Sequence, residues 1–308
     1  MAVLTFEHMA AQYDPAIAQG VNQVISNAIS GNAETVTEAL TLYVIIIGLL
    51  LCFREMTYRT FVTHAMRAGA ISALMVYGTF NTMIATPAMN TIPLWIAQTV
   101  NAQAAVHSAP QQFDLLWSAS LHLESAILEQ ATGLENLGFS VTARLYTLLA
   151  GGLLTIVFWC WEFSRATMGL IVAVAPFVLW MYLFETTRQI PMRVFHKGIG
   201  ILILQLLLSI TVQLMLQGNS YILLTAAQNA GDLEAQIGAY QDVLIFFFFG
   251  TALVIFTPAI AAYIGGGIAL GVGGAIAQTV MNTATAGIAG AARAGRAGSR
   301  AIQRARGK

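Results

Sequence analysis

Residues 145–184 form a forty-residue tract that is almost wholly apolar, and its only charges, Glu162 and Arg165, stand near the middle. At about 1.5 Å of rise per residue an unbroken helix there would be about 60 Å long, roughly twice the hydrocarbon thickness of a bilayer. The tract must fold back, lean out of the membrane or break, and the outcome sets the topology of the whole chain.

The rest of the sequence is of the same kind. Hydrophobic residues make up 57% and charged residues 9%, with a mean hydropathy of +0.71. Apolar runs occupy 36–53, 68–86, 145–163, 166–184, 198–216 and 243–264, each long enough to cross a bilayer once. These runs are continuous and do not alternate at period two, so the fold class is all-α, a polytopic helical membrane protein. The first residues, MAVLTFEHMAAQYD, have neither a basic start nor an apolar centre, so no signal peptide is read there and insertion relies on the first span.

No catalytic or metal chemistry is legible. Cys52 and Cys160 lie inside apolar runs and read as small buried hydrophobes. His8, His64, His107, His122 and His196 are scattered, with no partner at metal-ligand spacing. Phosphate-loop, dinucleotide and nucleophile-elbow patterns are missing from the sequence. No catalytic residue, metal or cofactor is assigned.

A net charge of zero hides strong segregation. Arg54, Arg59 and Arg67 share one loop, Arg188, Arg193 and Lys197 another, and Arg293, Arg296, Arg300, Arg304, Arg306 and Lys308 the tail, twelve of the fourteen Lys and Arg in all. Acidic residues gather elsewhere: Glu7, Asp14, Glu34 and Glu38 near the start, Asp114, Glu124, Glu129 and Glu135 in the middle, and Asp232, Glu234 and Asp242 before the last run. The positive-inside rule puts the basic groups in the cytoplasm, which leaves the N-terminus outside and the C-terminus inside. Between the outer region 87–144 and the inner loop 185–197 the chain must then cross an odd number of times. Five net crossings follow from six runs, with half of 145–184 spanning and the other half re-entrant, interfacial or a helical extension. Six crossings is the alternative. The organisation is a periplasmic amphipathic helix (1–35), a first transmembrane pair (36–86), a periplasmic central region (87–144), the main bundle (145–264) and a Gly-rich, then basic tail (265–308).

Glu162 and Arg165, three apart, share a helical face and can pair. They form either a surface turn anchored by Trp159 and Trp161, which would be the break in the tract, or a polar notch lining a passage or subunit seam. Pro176 and Pro258 interrupt their runs as kinks or hinges. Gly265, Gly266 and Gly267 permit close helix approach or bending. Arg293, Arg296, Arg300 and Arg304 share one helical face that suits anionic lipid or nucleic-acid phosphate. Two amphipathic stripes, Ile17, Val21, Val24, Ala28 and Ile29, then Phe113, Leu116, Trp117, Ser120, Leu121, Ser125, Leu128 and Thr132, need an apolar cover from the membrane, from a partner or from the chain itself.

With its N-terminal pair of spans around an Arg-rich loop, an extracytoplasmic FDLLW, then APFVLWMYLFETTRQIPMRVF and a Gly-rich last span, the chain over about residues 30–290 resembles the TrbL/VirB6 family. That family is the polytopic inner-membrane subunit of bacterial type IV secretion and conjugation machines. Its strongest local echo is APFVLWMYLFETTR, from Ala175 to Arg188; where the family has a tryptophan soon after the Thr-Arg pair, HKGIGILILQ stands here. The resemblance implies a homo-oligomeric assembly and conduit subunit acting with other inner-membrane and periplasmic subunits, secretion ATPases and pilin on DNA–protein or protein substrates. It also implies that Phe113, Asp114 and Trp117 contact substrate or partners, and that the span with Pro176, Phe184 and Arg188 helps hold the assembly together. A secondary transporter is the alternative, although no internal repeat supports one.

Overall fold

The computed structural model describes residues 5–75, 79–100, 108–131, 136–228 and 233–264. Among them all regular structure is helical, as apolar runs without water to bond their backbone groups require. In order come α1 (Thr5–Cys52), α2 (Tyr58–Met75), α3 (Ile92–Val100), α4 (Ala109–Gln130), α5 (Leu137–Leu179), α6 (Gln189–Gln228) and α7 (Leu233–Ile264). Among the described residues four stretches are long and apolar enough to cross a membrane: Glu34–Cys52, Leu137–Leu183, Gln189–Ile222 and Leu233–Ile264.

The expected break at Glu162 and Arg165 does not occur. Both runs of the opening tract belong to α5, which continues through the charges and through Pro176, then tightens to a 3-10 turn at Trp180–Leu183. Pro176 removes one donor near the end of the helix, where little ladder remains to be lost. The tract ends where Phe184 turns extended and the Thr187 hydroxyl donates to the Met181 carbonyl at 2.8 Å. The tract is thus one continuous helix and not two segments separated by a reversal.

α1 does not break at residue 35 but runs on from its polar half into the first apolar run, where the stretch apolar enough to span begins at Glu34. It ends with a left-handed cap: Arg54 has φ 61°, and the Glu55 N–H donates back to the Leu50 carbonyl at 3.0 Å. The second run, 68–86, is not one helix of uniform winding either. α2 is described as far as Met75, and the segments Asn81–Ala85 and Pro87–Thr91 are π-helical, with Thr86 N–H bonded to Asn81 O and Ile92 N–H to Pro87 O. Pro87 and Pro93 cannot donate to the residue four back, and the backbone widens where those bonds are missing.

α4 runs antiparallel to α5, with Phe113 against Phe158 and the Trp117 ring over Gly151; α1 runs parallel to α5, from Phe6 at Phe158 to Val21 at Gly169. The main core joins α4, α5, α6 and α7 and takes in Phe6 and Ala10 of α1. A second cluster seats Val21 and Ile25 against Phe80, Val172 and Ile201, and a third packs α1 against α2 around Tyr43, Ile47 and Ile71. Glycines act as the holes in this packing: the Phe246 ring fills the space beside Gly218, and Met215 that beside Gly250. Close approach of this kind is what drives helices together where lipid is as apolar as the side chains. Across α5 and α7, the Thr147 and Tyr240 hydroxyls bond at 2.6 Å.

Both amphipathic stripes are covered by the chain itself. On α1 the buried residues are Val21, Ile25 and Ala28, whereas Val24 is exposed; on α4 they are Phe113, Leu116, Ser120, Leu123 and Ile127, a stripe rotated from the expected Leu121, Ser125 and Leu128. Cys160 is half-buried, but Cys52 is exposed, because it falls in the last turn of α1 past the contact with α2. Thr132, Gly265, Gly266, Gly267, Arg293, Arg296, Arg300 and Arg304 lie outside the described residues.

Candidate functional site

The parallel packing of α1 on α5 carries a polar seam into the middle of the apolar tract. One turn of α5 presents Trp161, Glu162 and Arg165, and the polar half of α1 brings Asp14 against them. Arg165 forms its ion pair with Asp14, not with Glu162, and its guanidinium lies 4.9 Å from the centre of the Trp161 ring. Glu162 is 3% exposed, and among the described residues neither of its carboxyl oxygens has a hydrogen-bond partner. The pairing expected from i,i+3 spacing thus loses to a contact made across 151 positions of sequence. Asp14 is held in place by the helix that bears it.

That helix is fixed at its start by α4. The Asp114 carboxylate accepts the Phe6 N–H at 2.8 Å and the Glu7 N–H at 2.9 Å, which caps the first turn of α1 from a distant element. The Gln111 amide donates to Glu7 at 3.2 Å. Phe113, fully buried, packs on Phe6 and Phe158, and Trp117 is half-buried over Gly151. Phe113 and Asp114, expected to meet substrate or partner proteins, are therefore spent on contacts inside this chain. The reason is that α4 folds back on α5 and so turns its FDLLW face inward.

The Asp14–Arg165 pair divides two clefts. One, of about 370 Å³, is lined by Glu7, Asn90, Ser209 and Gln205 as well as the pair; the other, of about 290 Å³, shares the pair, Asn90 and Gln205 and adds Pro15 and Met168. Gln205 is 2% exposed with its carbonyl oxygen unbonded among the described residues, and Ser209 is buried beside it. On the other side of α1 an almost wholly apolar groove of about 390 Å³ runs between Tyr13, Ile17, Trp159 and Phe163, with Glu162 at its wall. Asp14 and Gln205 were not singled out by the sequence reading. Gln205 had a signal, a lone amide inside ILILQLLLSI, but Asp14 had none beyond its charge.

Of the other expected residues, Pro176 is buried in α5, Pro258 lies within α7, Phe184 packs edge-on against Tyr43, and Arg188 stacks on Tyr182 at 5.3 Å. Tyr43 and His64 join α1 to α2 through a 2.5 Å hydrogen bond. No group of three or more His, Cys, Asp or Glu with metal-site geometry occurs among the described residues.

Residues 40–257 match the family described as the TrbL/VirB6 plasmid conjugal transfer protein. The chain belongs to the TrbL/VirB6 family. It is 22% identical over 258 residues to Protein VirB6 of Rhizobium radiobacter, and 23% identical over 261 residues to Protein VirB6 of Agrobacterium fabrum. Each comparison covers 82% of this chain and 87% of the relative. The TrbL/VirB6 match takes in Glu162, Arg165 and Gln205 and starts after Asp14, so the ion pair ties the polar half of α1 to the part of the chain shared with the family.

Proposed function

We propose that this TrbL/VirB6 chain is a non-enzymatic inner-membrane subunit of a bacterial type IV secretion system, taking part in translocation of DNA–protein or protein substrates and in pilus biogenesis. The family match over residues 40–257 carries the reading. Its partners are the other inner-membrane and periplasmic subunits, the secretion ATPases and pilin, with further copies of itself. The polar seam is the part suited to the task, since polar side chains at membrane depth are costly and accumulate where a path or a moving contact needs them.

Five crossings, with the N-terminus periplasmic and the C-terminus cytoplasmic, complete the reading. The meeting of Arg67 of α2 with Arg188 on one Tyr182 ring supports it, because it brings together one residue from each of two basic groups. The acidic start of α7, with Glu234 and Asp242, lies toward the opposite end, where Tyr240 bonds Thr147.

Deletion of the gene in its native host tests the function. Plasmid transfer or effector export should fall to background and return with the wild-type gene. Undiminished transfer and export, or active uptake of a small solute by the purified protein in vesicles, would contradict the reading.

A further inference from the structure

Glu162 has no role in the packing described so far. Its side chain is 3% exposed, neither carboxyl oxygen has a partner among the described residues, and it stands in the wall of the almost wholly apolar groove beside Tyr13, Trp159 and Phe163. Two charges reach its carboxyl through space, Asp14 of α1 and Arg165 of α5. The other helices of the bundle bring none to this level. α6 is uncharged over 198–228 and α7 over 243–264, and Asp114 of α4 is engaged by the Phe6 and Glu7 N–H groups. On α1 itself, Glu7 lines the cleft on the other side of Arg165 and takes the Gln111 amide, while His8 is exposed and shares a hydrogen bond with Gln12.

The seam therefore sets two carboxyl groups against one guanidinium, and the guanidinium is on Asp14. An ionised Glu162 would be a buried charge with neither counter-charge nor hydrogen bond, the arrangement that costs most in an apolar interior. Binding a proton removes that charge without moving a helix. Losing the proton has a different outcome. Arg165 lies three residues on along the same face of α5, where i,i+3 neighbours can pair, so an ionised Glu162 draws it away from Asp14.

We infer that Glu162 is a proton-binding site, occupied while Arg165 pairs with Asp14 and emptied as Arg165 turns back to Glu162. The proton comes from water and returns to it, and the charge of the seam changes by one. Because Asp14 and Arg165 divide the two polar clefts, the same transfer loosens the polar half of α1 from α5 and opens one cleft to the other. One proton is thereby coupled to a movement of α1. The assignment rests on the packing of α1 on α5 and not on the secretion reading, so either can fail alone.

Infrared spectroscopy of the full-length protein in lipid vesicles at neutral pH tests it, since a protonated carboxyl group has a C=O stretch that a carboxylate lacks. The wild type should show this band, and E162Q should lose it. D14N frees Arg165 for Glu162, so the band should be lost there too, although Glu162 is still present. D14N/R165Q removes the cation as well, and the band should return. Spectra are compared at equal helical amide signal, so that a variant with a damaged fold is recognised. A wild type without the band would overturn the site and needs no variant to fold. Survival of the band in E162Q would place the proton elsewhere and overturn it equally. A band unchanged in D14N would overturn the coupling to Arg165.

Discussion

Asp14 and Glu162 compete for Arg165, and in the packed molecule Asp14 holds it. Breaking such a pair leaves a charge without its partner, so Asp14→Arg or Arg165→Asp alone should cost about 1–3 kcal/mol of stability. The double exchange should recover at least half of that loss in thermal unfolding in detergent micelles. Exchange of Glu162 with Arg165 should recover none. Asp114 gives a second check at this scale. Asp114→Ala leaves the Phe6 and Glu7 N–H groups without their acceptor, at a cost of about 1–2 kcal/mol, and hydrogen exchange of those two amides should accelerate. Neither partnership was legible in the sequence, because side-chain spacing reports neighbours along one helix and says nothing about a residue 108 or 151 positions away.

Between elements, glycines and prolines carry the information. Gly218→Val must displace the Phe246 ring and should destabilise the α6–α7 contact by about 1–3 kcal/mol, whereas Gly20→Ala meets nothing within 4 Å and should be neutral or stabilising by up to about 1 kcal/mol. Comparison of the two melting temperatures separates packing from backbone effects. The helical nature of residues 145–184 was plain from their composition, and so was their excess length. Their continuity was not, because Glu162 and Arg165 read locally as a turn and only the docking of α1 shows where their polarity goes. Spin labels at positions 145 and 177 should lie about 48 Å apart if α5 is unbroken, and much closer if the chain reverses at the charged pair.

For the whole molecule, the segregation of charge was the most legible feature. Arg67 of α2 and Arg188, from two basic groups far apart in sequence, meet at Tyr182. The inward turn of α4 was not legible, since an amphipathic stripe demands a cover without naming it, and the cover here is α5 with the first turns of α1. The winding of 79–91 was likewise hidden, because an apolar run reads as a span whether its backbone is α or π. The proposed five-crossing topology requires α5, one helix, to cross once. Membrane-impermeant thiol labelling of single cysteines at Ser140 and Glu185, in a background with Cys52 and Cys160 replaced, tests that directly. Position 140 should react from the periplasmic side and position 185 only after the inner membrane is opened; labelling of both from the periplasm would contradict it.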